Sequence, residues 1–138
     1  MSQLIAPHGG HLVDGLVAAE EAARLKQLSA SLPSWDLTPR QMCDLEMLLN
    51  GAFSPLRGFM LRSDYESVRD TMRLASGELW PMPITLDISR EFADSLGSAT
   101  RIALRDPEGV VLAILDIEDR FEPDLELEAK QVFGTTDR

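Results

Sequence analysis

A pair of histidines is the first candidate for chemistry in this sequence, because His8 and His11 flank two glycines near the start of the chain. Imidazole is the side chain that most readily binds a metal ion or moves a proton near neutral pH. However, the two glycines predict a flexible turn, and no third ligand stands at a fixed spacing from the pair. We therefore expect no metal site and no catalytic role for these histidines.

The single cysteine, Cys43, cannot form an internal disulfide, and the chain has no Cys/His set at the spacing of a zinc site. Cys43 follows Met42 in a segment with helical periodicity, on or near its apolar face. We expect a buried thiol that behaves as a small apolar residue. One unpaired thiol fits a protein of the reducing cytosol.

Carboxylates could also act as a general acid and a general base, and Asp87 and Asp116 are the candidates. Both stand near the ends of predicted strands, where acids commonly end a strand or cap a helix, so we do not expect a catalytic pair. Arg40 and Asp44 lie four residues apart and predict an ion pair on a solvated helix face. The sequence contains no GxxxxGK[ST], GxGxxG or GxSxG motif.

Composition describes a soluble, acidic domain of 138 residues with 23 Asp and Glu, 13 Lys and Arg, and a formal charge of −10. At this length a chain buries roughly 68–70% of its unfolded surface, which is enough for a core without disulfides. Seven carboxylates face one arginine between Asp116 and Glu128, and this field repels a phosphate backbone. We therefore expect no nucleic-acid partner.

The N-terminus lacks a basic region followed by an uninterrupted apolar run, and no stretch approaches the ~18 apolar residues that span a bilayer. We expect a cytoplasmic protein without a membrane partner.

Helix signals dominate the first half of the chain. An Ala/Glu/Leu-rich segment predicts a helix from about 16 to 31, with Asp14 as its cap. Thr38 and Gln41 form a capping box that predicts a second helix, and Gly51 ends it.

The loop at residues 52–60 is too rich in large apolar side chains to be a solvated linker, so we expect it to pack on the body of the protein. A second capping box, formed by Ser63 and Glu66, predicts a helix that ends before Gly77.

Strand signals dominate the second half. Apolar residues alternate with polar ones and prolines over Met82–Ile88, which predicts a half-buried strand. A helical turn at Arg90–Leu96 follows, and then Arg101–Arg105 and Val110–Ile117 predict a hairpin with a turn at residues 106–109. A last helical segment starts at residues 122–123.

These elements predict one α+β domain that occupies residues 1–138 without repeats or an internal linker. The sequence ends just after an apolar helix face and a glycine, and this ending is typical of a domain boundary.

Two segments of the sequence, LTPRQMCDLEMLLNGAFSPLRGFM and LWPMPITLD, are far longer than chance motifs. Together with several other segments in order, they resemble the amino-terminal domain of ATP sulfurylase (sulfate adenylyltransferase). The resemblance covers nearly the whole chain, in residues 7–13, 35–60, 64–89, 101–115 and 128–137.

This resemblance implies a PUA-like fold, a pseudo-β-barrel wrapped by several helices. It also implies that the parent protein is a nucleotidyltransferase of sulfate assimilation. Such an enzyme transfers AMP from ATP, with Mg²⁺, to sulfate and yields adenylyl sulfate and pyrophosphate. Some relatives carry an adenylylsulfate kinase domain as well.

The family's catalytic groups lie in a second, larger domain with Gln-x-Arg-Asn-Pro, paired-histidine and Gly-Arg-Asp segments, and none of these is present here. His8 and His11 are not the family's paired histidines. We therefore expect no catalytic, substrate-binding or metal-binding residue and no cofactor in this chain, and no turnover by the chain alone.

The resemblance further implies that the partners of this domain are its own catalytic domain and, in the full-length enzyme, further copies of the subunit. We expect Phe53, Leu56, Phe59 and Phe133 to contact the catalytic domain. Two alternatives stay open, namely a PUA-like RNA-binding module and a freestanding regulatory or interaction domain.

Overall fold

The computed structural model describes residues 8–10, 12–123 and 125–132. The described elements confirm an α+β fold, and their strands form one three-stranded mixed sheet; the pseudo-β-barrel stays a prediction. The elements in chain order are a 3₁₀ turn at His8–Gly10, α1 (Ala19–Ser29), β1 (Ser34–Asp36), α2 (Pro39–Leu49), α3 (Arg62–Thr71), α4 (Arg90–Ser95), β2 (Arg101–Arg105), β3 (Val111–Asp116) and α5 (Leu125–Val132).

The chain divides into two compact units, and each is discontinuous in sequence. Unit 1 combines the residues up to Gly58 with Leu86–Glu118, and unit 2 combines Phe59–Thr85 with the residues from Asp119 onward. Unit 1 therefore holds the whole sheet together with α1, α2 and α4, whereas unit 2 holds α3 and α5.

The sheet of unit 1 has the order β1-β2-β3, with β1 parallel to β2 and β2 antiparallel to β3. The central strand is the core of the unit, because Ile102, Ala103 and Leu104 are each at most 2% exposed. The predicted hairpin is confirmed, and the Asp106 carboxylate closes its turn by accepting hydrogen bonds from the N–H groups of Glu108 and Val110.

The parallel strand β1 is absent from the sequence-based expectation, which placed only a short connection there. It exists because of partners far along the chain: the Ala103 N–H donates to the Pro33 carbonyl, and the Leu37 N–H donates to the Arg105 carbonyl. The three residues of β1 are too few to show an alternation of apolar and polar side chains, so only the pairing with β2 defines this strand.

The strand predicted over Met82–Ile88 is wrong, since no strand forms there. Its backbone finds other partners: the Met60 N–H donates to the Ile84 carbonyl, and the Gln41 side chain donates to the Asp87 carbonyl. The apolar alternation reflects the burial of Ile84 rather than a sheet.

The start of α2 is confirmed in detail. The Gln41 N–H donates to Thr38 Oγ1 at 3.2 Å, and the Thr38 N–H donates to Gln41 Oε1 at 3.0 Å, which completes the capping box. Gly51 follows the helix with a φ of 87°, a left-handed conformation that glycine adopts without strain.

Two of the other predicted helix starts are wrong. The first helix begins at Ala19 without a side-chain cap, because the Asp14 carboxylate accepts instead from the nearby Leu16 N–H. No capping box opens α3. Its exposed N-terminal Arg62 N–H donates at 2.8 Å to the carboxylate of Asp119, which reaches it from a later segment of the chain.

Unit 2 is centred on the side chains of α3. Tyr65 and Val68 are 2% and 0% exposed, and the Tyr65 hydroxyl donates to Glu128 of α5 at 2.8 Å. The ring of Phe121 lies 5.1 Å from the ring of Tyr65. These contacts attach α5, which has no fully buried residue of its own, to α3.

Gln41 links separate elements of unit 1. Its Oε1 atom accepts from the Trp35 ring N–H at 3.1 Å in addition to the capping bond, and its Nε2 donates to the Asp87 carbonyl at 2.6 Å. The Trp35 ring in turn lies 5.1 Å from the ring of Phe92 on α4. One side chain, 4% exposed, thus connects β1, α2 and the segment before α4.

We expect Gln41→Ala to lower the free energy of unfolding by about 2–4 kcal/mol, because it removes a cap and leaves buried polar groups without partners. Urea denaturation followed by circular dichroism measures this difference. Glu46→Ala, on the exposed face of the same helix, is the control. Equal stabilities of the two variants would show that the Gln41 bonds are unimportant.

Candidate functional site

Hydrogen bonds join the N-terminal arm to the end of α2 and the loop after it, and the family resemblance includes Leu12 and Val13 of the arm and the whole loop. We call the arm at residues 12–15 and the loop at residues 50–56 the arm–loop clasp. The Gly15 N–H donates to the Leu49 carbonyl at 3.0 Å, and the Val13 N–H donates to Ser54 Oγ at 2.8 Å. The Ser54 hydroxyl donates in turn to the Gly51 carbonyl at 2.6 Å.

Gly51 is required in the clasp by space as well as by conformation. A Cβ atom at this position would lie 2.6 Å from the Val13 carbonyl oxygen and 2.7 Å from Leu12 Cδ1. The backbone of the loop therefore approaches the arm more closely than any side chain would permit.

The predicted contact residues of the loop differ in what they expose. Leu56 is 5% exposed, so it offers almost no surface to another domain. Phe53 and Phe59 are half-buried, and Phe133 lies outside the described residues. The loop does pack down as expected, because Ser54 and Leu56 are buried.

Only one of the two candidate histidines falls within the described residues. His8 is exposed in the 3₁₀ turn, and His11 lies outside the described residues. Over residues 8–10, 12–123 and 125–132, no group of three or more His, Cys, Asp or Glu side chains could hold a metal ion.

The expectation of a buried Cys43 is wrong, because its side chain is exposed. The capping box sets the helical phase, and Gln41, Leu45 and Leu48 then form the buried face of α2. Position 43 falls on the other side of the helix from position 41, since successive residues turn by 100°.

The two candidate carboxylates are not brought into one site. Asp87 pairs with Arg40 at 3.6 Å, whereas Asp116 pairs with Arg101 at 2.6 Å. The predicted Arg40–Asp44 ion pair is confirmed at 3.8 Å. Burial raises the pKa of Asp44, and the positive charge of Arg40 partly offsets this effect.

The other carboxylates whose pKa is shifted, Glu21 and Asp70, belong to surface ion pairs. Hydrogen bonding from Arg24 lowers the pKa of Glu21, and hydrogen bonding from Arg69 lowers the pKa of Asp70. Such exposed pairs are common on protein surfaces and contribute little to stability. The pKa shifts of Glu21 and Asp70 therefore reflect these surface ion pairs.

The part of the chain that the structure describes has no helix long and apolar enough to cross a membrane.

Comparison with known proteins agrees with the resemblance found in the sequence. A family model described as a PUA-like domain matches residues 5–138. A sulfate adenylyltransferase of Eremothecium gossypii is 49% identical over 132 residues, which are 94% of this chain and 26% of that protein. A probable bifunctional SAT/APS kinase 2 of Sorangium cellulosum is 46% identical over 134 residues, 97% of this chain and 23% of that protein.

A solved structure titled hexameric APS kinase from Thiobacillus denitrificans aligns with a TM-score of 0.73 and 44% identity. The alignment covers 88% of this chain and 24% of the other. The chain therefore spans about a quarter of the length of these relatives.

We expect Gly51→Ala to destabilise the protein by about 2 kcal/mol or more, because the added Cβ meets the Val13 carbonyl and the left-handed φ is strained for alanine. Thermal unfolding measures the effect. Gly58→Ala is the matched control, since a Cβ at that position meets no atom within 4 Å. A shift no larger than that of the control would contradict the close approach in the clasp.

The raised pKa of Asp44 predicts a pH dependence of stability. The folded state binds the Asp44 proton more tightly than the unfolded state, so this carboxyl makes the free energy of unfolding fall as pH rises from the ordinary pKa through the raised one. Asp44→Asn should therefore gain stability relative to the parent chain across that window and keep a constant difference above it. Denaturation at a series of pH values tests this, with Glu46→Gln as the control for the loss of one negative charge.

Proposed function

Because the chain belongs to the family of PUA-like domains, and relatives named sulfate adenylyltransferase align with nearly all of it, we propose that it is the amino-terminal domain of such an enzyme. The observation that carries the proposal is the 49% identity over 94% of the chain. The arm–loop clasp supports it, because the clasp joins two segments of the resemblance through bonds that need Gly51 and Ser54 in place.

The role we propose for the domain is to support a catalytic domain that lies elsewhere in the parent protein. The parent would transfer AMP from ATP, as its magnesium complex, to sulfate and release pyrophosphate, in the cytoplasm and for sulfate assimilation. The sulfate oxygen would attack the α-phosphorus in line, and positioning and charge neutralisation would lower the barrier. No phosphate-binding motif of this chain takes part, since the sequence has no glycine-rich nucleotide loop.

The contact with the catalytic domain is proposed to include Phe53, Phe59 and Phe133. The half-buried rings of Phe53 and Phe59 leave apolar surface available. Leu56, which is 5% exposed, would instead act as a core residue that holds the loop in shape. We also propose that the full-length enzyme is a homo-oligomer, in keeping with the hexameric state named for the similar structure.

An RNA-binding role has less support. An RNA-binding surface needs a basic stripe, whereas this chain has a formal charge of −10, and residues 70–138 hold 15 acidic and 7 basic side chains. A freestanding regulatory domain would require a reading frame that ends at Arg138.

Pyrophosphate release from ATP and sulfate, or molybdate as a substitute anion, tests the proposal. We expect activity from the full reading frame of the gene and none from the 138-residue chain, because we propose that the groups that bind the reacting phosphates lie in the catalytic domain. Reactions without sulfate are the blank, and circular dichroism verifies that the shorter chain is folded. Turnover by the 138-residue chain, or inactivity of the longer protein, would overturn the proposal.

A further inference from the structure

The sequence holds a single asparagine, Asn50, and a glycine follows it. An asparagine amide is a thermally labile group. The backbone nitrogen of the next residue attacks the side-chain amide carbon and forms a cyclic imide. The new C–N bond replaces the bond to the amide NH₂ group, which leaves as ammonia together with the proton of the attacking nitrogen. A following glycine hinders this attack least, because it has no Cβ atom.

Water then opens the imide at one of its two C–N bonds, adding its hydroxyl to the carbonyl carbon and its proton to the nitrogen. One opening leaves an ordinary aspartyl residue. The other leaves an isoaspartyl residue, in which the main chain runs through the side chain and is one methylene longer. Both products carry a carboxylate in place of the neutral amide.

The Asn50–Gly51 dipeptide stands where the arm–loop clasp closes, with Asn50 exposed and Gly51 buried. The Gly51 carbonyl accepts from the Ser54 N–H at 3.0 Å and from the Ser54 hydroxyl at 2.6 Å. Over the described residues, no hydrogen bond occupies the Gly51 N–H. By contrast, Gly15 follows an aspartate in the same clasp, and its N–H donates to the Leu49 carbonyl. Of these two dipeptides, Asn50–Gly51 is therefore the one whose attacking nitrogen has no bond to break.

The conformation of Asn50 in the closed clasp prevents the attack. Ring closure requires the Asn50 Cβ to lie beside the Gly51 nitrogen about the Cα–C bond. The ψ of Asn50 is −2°, which places the Asn50 backbone nitrogen there instead. The tetrahedral Cα carbon sets Cβ about 120° away from that position. The side-chain amide is also held, because Asn50 Oδ1 accepts from the Ala52 N–H at 2.8 Å.

The clasp also resists the rotation that would bring the reacting atoms together. The Asn50 N–H donates to the Glu46 carbonyl at 3.0 Å, which fixes this residue to the end of α2. On the other side, a Cβ built on Gly51 would lie 2.6 Å from the Val13 carbonyl oxygen, so the backbone has little room to move toward the arm. Rotation at Asn50 thus requires the arm and the loop to part, with loss of the bond from Val13 to Ser54.

The two products differ in whether the clasp can close again. An aspartyl residue keeps the length of the main chain, and its carboxylate can accept from the Ala52 N–H as the amide oxygen does. An isoaspartyl residue adds a methylene to the main chain directly before Gly51, where the arm and the loop are too close for a single Cβ atom. The closed clasp has no space for this product.

We propose that Asn50–Gly51 is a self-modification site that the closed arm–loop clasp protects, and that isoaspartate formation at this site holds the clasp open. Opening permits the reaction, and the longer main chain then prevents closing, so the clasp acts as a one-way switch. The site lies in unit 1 and does not depend on the activity proposed for the parent.

Mass spectrometry of the tryptic peptide of residues 41–57 tests whether the clasp protects the site. The 138-residue chain and a free peptide of residues 46–54 are incubated in mildly alkaline buffer made with heavy-oxygen water, which marks the rings opened before digestion. The chain should react at least about tenfold more slowly than the peptide. This slowing should match, within about threefold, the protection of the Val13 and Gly15 amides from hydrogen exchange, because both processes need the same opening.

Ser54→Ala should open the clasp more often, because it removes the acceptor of the Val13 N–H and the donor to the Gly51 carbonyl. We expect it to raise the rate of isoaspartate formation at least about tenfold. Ser95→Ala is the matched control, since it removes an exposed hydroxyl that donates to the Phe92 carbonyl outside the clasp. Circular dichroism verifies folding, and if Ser54→Ala is unfolded, the comparison of the chain with the free peptide needs no variant.

Hydrogen exchange of the product tests whether isoaspartate holds the clasp open. The isoaspartyl form, separated by ion-exchange chromatography, should lose protection of the Val13 and Gly15 amides by at least about tenfold. Asn50→Asp has the same charge and a main chain of normal length, so it should keep this protection.

Three results would overturn the proposal. The first is reaction of the chain as fast as the free peptide. The second is a folded Ser54→Ala variant that forms no isoaspartate at position 50, or forms it no faster than Ser95→Ala. The third is full protection of the Val13 and Gly15 amides in the isoaspartyl form.

Discussion

The buried amide of Gln41 is the interaction on which unit 1 depends. A carboxamide offers both an acceptor oxygen and donor hydrogens, and here it caps α2, binds the Trp35 ring N–H and holds the Asp87 carbonyl. Only asparagine also carries a separate carbonyl oxygen and NH₂ group, and its side chain is one methylene shorter. The nearby Arg40–Asp87 ion pair is exposed and adds little by comparison. One amide therefore links β1, the start of α2 and the segment before α4.

How far the fold follows from the sequence depends on how far away each element's partners are. The helix α2 and the β2–β3 hairpin were predictable, because a capping box and a four-residue turn contain their own signals. The strand β1 and the start of α3 depend on hydrogen bonds to residues more than fifty positions away, at Arg105 and Asp119. Local periodicity cannot contain such information, and over Met82–Ile88 it gave a wrong strand.

In the candidate site, too, some features follow from the local sequence and others depend on distant parts of the chain. The apolar residues of the loop predicted that it packs against the protein. The exposure of Cys43 depends on which face of α2 is buried, and the burial of Leu56 depends on how the arm–loop clasp holds the loop. Gly51 and Ser54, which belong to one of the most specific segments of the resemblance, make the close approach and the hydrogen bonds between the arm and the loop. A segment by which a family is recognised can thus be one that packs two parts of a domain together.

The interleaved order of the two units has a consequence for synthesis on the ribosome. The chain leaves unit 1 after Gly58, returns to it at Leu86 and leaves it again after Glu118. The nascent N-terminal third consequently emerges without the central strand β2 that β1 must join, and α3 emerges before its partner α5. Domains ordinarily fold as units, with the N-terminal one first. Here both units must wait for late residues, so neither can complete its fold until most of these 138 residues have been synthesised.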